Sequence, residues 1–97
     1  MIKTSKVMEY TEALKIVRSE VEELAAKPNL GEETQLIGDG SVMDSMKLVE
    51  LCLALEDHAS EVGFEFDWTS ESAMSRARSM FRTIGTLAAE FAEQSQQ

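Results

Sequence analysis

Val42-Met43-Asp44-Ser45-Met46-Lys47-Leu48-Val49-Glu50-Leu51-Cys52-Leu53-Ala54-Leu55-Glu56-Asp57-His58 is the stretch that decides the fold. Its apolar residues fill most of a helical circumference, so the segment reads as a helix starting at Asp44 or Ser45 and running to about His58. A helix this apolar is expected to be the central one of a bundle, packed on several sides. Asp44 signals the start, because its carboxylate can accept hydrogen bonds from the first unpaired backbone N–H groups.

Upstream, Tyr10, Leu14, Val17, Val21 and Leu24 recur at alternating spacings of four and three, the stripe of an amphipathic helix whose Glu12, Lys15, Glu20, Glu22 and Glu23 turn mostly to water. Thr4 or Ser5 could cap it early, or Thr11 late. Pro28-Asn29-Leu30-Gly31 ends it. A long connection then runs from Pro28 to Asp44. Loops of that length are functional or anchored, and Leu36-Ile37 is the expected anchor. Downstream, Gly63 breaks the pattern, Phe64–Phe66 is short and extended, and Asp67-Trp68-Thr69-Ser70 turns into a third helix from Ser72 to about Met80. Thr83 caps a last helix, with Ile84, Leu87, Ala88 and Phe91 on one face; Gly85 near its start weakens it slightly. The expected fold is all-α, a four-helix bundle with a long first loop and a short or irregular third helix. Residues 1–97 form one domain, with the Gln-rich end 93–97 expected to fray.

Charge narrows the function. The formal net charge is −9, and between Glu32 and Glu65 nine acidic residues face a single basic one, Lys47. Such a field repels nucleic acid and anionic membranes and attracts basic protein surfaces; it also reads simply as a solvated face. Cys52 is the single cysteine, so no internal disulfide forms, and its place in an apolar run marks a buried structural thiol. One His and one Cys cannot make a structural zinc site. No leader-like or membrane-spanning apolar run is present, and a cytoplasmic monomer without membrane insertion is expected.

Self-contained catalysis fails on inventory. There is no P-loop and no dinucleotide fingerprint. A Ser45–His58 pair on one helix would be separated by about 20 Å at 1.5 Å per residue. What remains is Ser45, at the tip of the most apolar helix, after a long loop and inside the acidic stretch. As a bare Asp-Ser-Met it reads equally as an ordinary helix start. A phosphodiester at that point would meet free backbone N–H groups and the positive helix end, opposed by Asp44.

Asp44-Ser45-Met46 with Val49-Glu50-Leu51 and Ala54-Leu55-Glu56, preceded by Thr34-Gln35-Leu36-Ile37-Gly38-Asp39-Gly40, resembles the acyl carrier proteins. The likeness returns at Thr83-Ile84-Gly85-Thr86-Leu87. The resemblance implies a non-enzymatic carrier. In it, a magnesium-dependent phosphopantetheinyl transferase attaches 4′-phosphopantetheine from coenzyme A to Ser45, and the arm bears acyl groups as thioesters, as in fatty acid or lipid biosynthesis. It further implies that Asp44, Met46, Glu50, Glu56 and Asp57 meet acyl-transferring or acyl-activating enzymes through basic docking patches. Met46 reads as well as a core residue. Asp-Ser-Met also resembles the motif of D-alanyl carriers, which implies an aminoacyl cargo as the alternative. A third reading is a helical interaction module that does not use Ser45. Arg76, Arg78 and Arg82 lie in a stretch longer than the family's; they are expected to pair with the acidic face of the second helix, to contact a partner, or to stay as exposed charges.

Overall fold

The computed structural model describes residues 7–38 and 40–96; Thr4, Ser5, Asp39 and Gln97 fall outside them. Four helices form, α1 (Tyr10–Ala25), α2 (Ser45–Val62), α3 (Glu71–Met80) and α4 (Ile84–Gln94), in an all-α bundle with the long first loop and short third helix the sequence predicts. α3 is regular. Its N-cap Ser70 accepts from Ala73 N–H through its hydroxyl at 3.1 Å.

α1 opens without a side-chain cap: Glu9 holds the cap position in an extended conformation, and Thr11 lies inside the helix rather than ahead of it. The buried face is Ala13, Val17 and Val21. Leu14 and Leu24 flank it, half-buried, and Tyr10 at the predicted head of the stripe is exposed. Ala was too small to register in the hydrophobic pattern, yet a small residue is what lets two helices approach closely. The end comes as expected before Pro28, where Ala26 turns left-handed at φ 57°.

The predicted centre of the bundle is corrected. The most extensive helix contact is between α1 and α4, with α2 set against α1 and α3 against α4. α4 buries Ile84, Leu87, Ala88, Phe91 and Ala92, whereas α2 buries one side only, through Leu51, Cys52, Leu55 and Ala59. Leu53, Val49 and Met46 remain outside, and Met46 is 74% exposed. α2 also runs a turn beyond His58, because nothing between Ala59 and Val62 stops a helix. Gly63, at φ 101°, ends it, and the Phe64 N–H returns to the Ala59 carbonyl at 2.9 Å.

The expected fraying of 93–97 is also overturned for the described residues. Glu93 and Gln94 belong to α4. The Gln94 side-chain amide pairs with the Asp67 backbone in both directions, accepting from its N–H at 2.6 Å and donating to its carbonyl at 2.9 Å. The buried Ser95 hydroxyl accepts from the Met8 N–H at 2.9 Å. Polar residues that look like a loose tail in composition are held because they satisfy buried backbone groups. Phe66 packs edge-on to Phe91, with ring centroids 5.2 Å apart, and Phe64 tilts against the same ring.

The first loop is laced to the start of α4. Gln35 and Thr83 form an antiparallel bridge. Leu36 N–H donates to the Arg82 carbonyl at 3.0 Å, Ile84 N–H to that of Thr34 at 3.0 Å, and Gly85 N–H to that of Glu32 at 2.9 Å. Leu36 is the buried anchor and Ile37 packs half-buried beside it. Thr83 caps α4 as predicted, its hydroxyl accepting from Thr86 N–H at 3.1 Å while Thr83 N–H donates to the Thr86 hydroxyl at 2.9 Å.

Gly85 has a role beyond weakening the helix. A Cβ there would stand 3.1 Å from the Glu32 carbonyl oxygen and 3.3 Å from the Tyr10 hydroxyl. Gly85→Ala should therefore lower stability despite alanine's better helix propensity. Overpacking against a hydrogen-bonded carbonyl costs about 1–3 kcal/mol, and a net loss of about 1 kcal/mol corresponds to a drop of about 4–8 °C in Tm for a chain of this size. Thermal unfolding followed by circular dichroism checks it; an unchanged or higher Tm would show that the loop retreats freely.

Candidate functional site

Ser45 is the first residue of α2 and is exposed. Two features fix its position. Ahead of it, Val42 N–H donates to the Gln35 carbonyl at 3.2 Å and Met43 is buried, so the chain enters the helix from an anchored loop. At the helix start, the Asp44 carboxylate accepts from Lys47 N–H at 2.9 Å, and the Asp44 carbonyl accepts from Leu48 N–H at 3.0 Å. The backbone N–H groups of Ser45 and Met46, which a helix cannot pair internally, stand at the tip beside the serine hydroxyl. The positive end of the helix lies there too, partly offset by Asp44.

Ser45 does not meet a base along its own helix. His58 is about 20 Å away along the axis, and its Nε2 lies 2.9 Å from Glu20 Oε2, joining α2 to α1. The one histidine of the sequence is thus out of hydrogen-bond reach of the Ser45 hydroxyl along the helix.

The structure brings the other predicted residues onto the outer side of α2. Met46, Val49 and Leu53 succeed one another at three and four residues, 74%, 45% and 49% exposed. Glu50 and Asp57 are exposed on the same side, and Glu56 lies on its shoulder. Of the two readings of Met46, exposure is therefore what is found. Val49 and Leu53 were missed because their apolar character assigned them to the core. The signal was available: they share a helical side with Glu50 and Asp57, which a core cannot accept.

Glu56 has a second bond. The Trp68 indole N–H donates to its Oε2, so the segment after α2 is stapled to the acidic face. The arginines behave otherwise than pairing with α2 would require. Arg76 pairs with Glu90 of α4 at 2.8 Å, and Glu90 also accepts from Gln94; Arg78 and Arg82 are exposed. Asp67 accepts from the Ser70 hydroxyl at 2.6 Å and N–H at 3.1 Å, and these bonds hold its carboxyl below the usual range.

Among the described residues no group of three or more His, Cys, Asp or Glu is arranged to hold a metal ion, and no helix is long and apolar enough to cross a membrane. Compared with known proteins, the chain matches no family model, no curated protein and no solved structure.

Cys52 is 1% exposed, and burial first, with Glu56 second, pushes its thiol up to about 12. Because only the thiolate reacts, iodoacetamide at pH 8 should leave the folded protein unlabelled and label it fully in denaturant. Labelling at equal rates would place the thiol at the surface. A thiol raised in the folded state stabilises it below the unfolded-state value of roughly 8.5, and that contribution is lost as pH climbs toward 12. Cys52→Val should accordingly lose less stability than the native chain between about pH 8 and 11.

Proposed function

We propose that this chain is an acyl carrier protein, in which Ser45 bears 4′-phosphopantetheine and the arm's thiol carries acyl groups as thioesters between enzymes. The observation that carries the reading is the exposed Ser45 at the first position of α2, on an anchored loop, with the apolar and acidic outer side of the same helix running away from it. A tether point needs a rigid, accessible hydroxyl and no catalytic base, because the base belongs to the modifying enzyme. In the transfer, Ser45 Oγ bonds to the β-phosphorus of coenzyme A, the pyrophosphate P–O bond breaks, and 3′,5′-adenosine bisphosphate leaves. The serine proton goes to the transferase.

The outer side of α2 then serves recognition. Met46, with Val49 and Leu53, supplies apolar area, and Asp44, Glu50, Glu56 and Asp57 supply the charge that steers a basic docking patch. The chain itself is not an enzyme on this reading; its partners are the phosphopantetheinyl transferase and the acyl-transferring or acyl-activating enzymes.

Intact mass after incubation with coenzyme A, Mg²⁺ and a broad-specificity phosphopantetheinyl transferase tests it. The native chain should gain one phosphopantetheine and Ser45→Ala none. A folded native chain that gains nothing with several transferases would overturn the carrier reading in favour of a helical interaction module that uses the α2 surface alone.

A further inference from the structure

A groove of about 630 Å3 lies between the second half of α2 and the segment that follows it. Its wall is aromatic, formed by the half-buried Phe64 and the buried Phe66, both fixed against the Phe91 ring. Its rim carries Glu56, Glu65 and Asp67, and among the described residues no lysine or arginine lines it. Carboxylates alone would be no more than a solvated rim. Three other features make this place distinct: a concave volume, an aromatic wall, and its position relative to Ser45.

That position follows from helix geometry. Glu56 stands eleven residues after Ser45, three helical turns on and therefore on the same edge of α2, about 16 Å along the axis. Val49 lies on that edge between them, and Ser60, which also lines the groove, continues it. An arm fixed at Ser45 and laid along the helix, a span that extended phosphopantetheine covers, brings its end to the groove without crossing the buried face.

We infer that the groove receives the end of an arm carried on Ser45, and that the cargo it fits is an aminoacyl group, its ammonium against Glu56 and Glu65 and its carbon skeleton on the Phe64 ring. The inference rests on the carrier reading above. Charge complementarity selects the occupant. A protonated amine satisfies carboxylates, and an aromatic face attracts it as well. A plain alkyl chain would strip water from the carboxylates and return nothing to them. The Trp68 indole N–H holds Glu56 Oε2, so this carboxylate is oriented before the cargo arrives and keeps a second oxygen to accept from an ammonium.

The test compares two cargoes of the same shape. Apo protein is loaded by the transferase with coenzyme A analogues whose arms end in an alanyl or an isobutyryl group, joined through a stable amide in place of the thioester. The alanyl arm should displace the backbone amide resonances of Glu56, Phe64, Glu65 and Asp67 up to about fivefold more than the isobutyryl arm, the preference a partly exposed ammonium–carboxylate contact provides. The Trp68 emission should shift with them. The difference should vanish in the double variant Glu56→Gln/Glu65→Gln, in which the amide oxygen introduced at position 56 still accepts from the Trp68 indole, and should shrink in high salt in the native chain. Equal displacements for the two arms, or displacements confined to the neighbours of a modified Ser45, would overturn the aminoacyl inference and leave the carrier reading standing. A chain that takes neither arm, by mass, would overturn both.

Discussion

The structure depends on the backbone tie between the first loop and the start of α4. A loop from Pro28 to Asp44 has no repeating hydrogen bonds of its own, and each buried N–H or carbonyl in it needs a partner elsewhere. Beside a few bonds within the loop, such as Val42 N–H to the Gln35 carbonyl, it finds its ties to α4 where Thr34, Leu36 and Glu32 pair with Ile84, Arg82 and Gly85 across a short antiparallel bridge. Leu36 drops into the core at the same point. Because α4 packs along α1, the loop is referred to the most extensively packed pair of helices, and the Ser45 tip inherits that reference through Val42 and Met43. The absence of a side chain at Gly85 is what lets the loop carbonyl come in so close.

α2 is built on a different principle. It buries one side and leaves Met46, Val49 and Leu53 outside, although burying each fully would stabilise the fold by about 1.5–3 kcal/mol. The chain forgoes that gain and meets the solubility cost with charge: Glu50 and Asp57 sit among the exposed apolar residues and Glu56 beside them. An apolar strip bordered by one sign of charge is what a recognition surface requires, since the charges orient the encounter and the apolar area holds it.

The segment after α2 shows how polar residues at the edge of a small core are made compatible with it. Arg76, Glu90 and Gln94 form one connected set of bonds that ends on the Asp67 backbone. No buried side-chain nitrogen or oxygen among the described residues lacks a partner. A net charge of −9 destabilises a compact chain through self-repulsion, and a fully satisfied network of this kind supplies local order against it. The same segment sets the groove wall, because the Phe64 and Phe66 rings are fixed on Phe91 while Trp68 reaches back to Glu56.

The sequence by itself determined the number and order of helices, the Thr83 cap, the Leu36 anchor, the buried Cys52 and the position of Ser45 at a helix start. Each of these follows from local chemistry: a hydroxyl that can reach an N–H three residues on, a proline that cannot continue a helix, a serine next to a capping aspartate. Which helix is central was not legible, because hydrophobicity around α2 says how much apolar surface exists and not which part of it finds a neighbour. The small Ala13, silent in the pattern, belongs to the buried face of α1. The Gln-rich end likewise read as loose, because its order comes from backbone groups of Met8 and Asp67 far away in the chain. Periodicity and capping are properties of a few adjacent residues, and sequence records them directly. The exposed strip on α2, the groove beside it and the held C-terminal end depend on which distant surfaces meet, and only tertiary packing decides that.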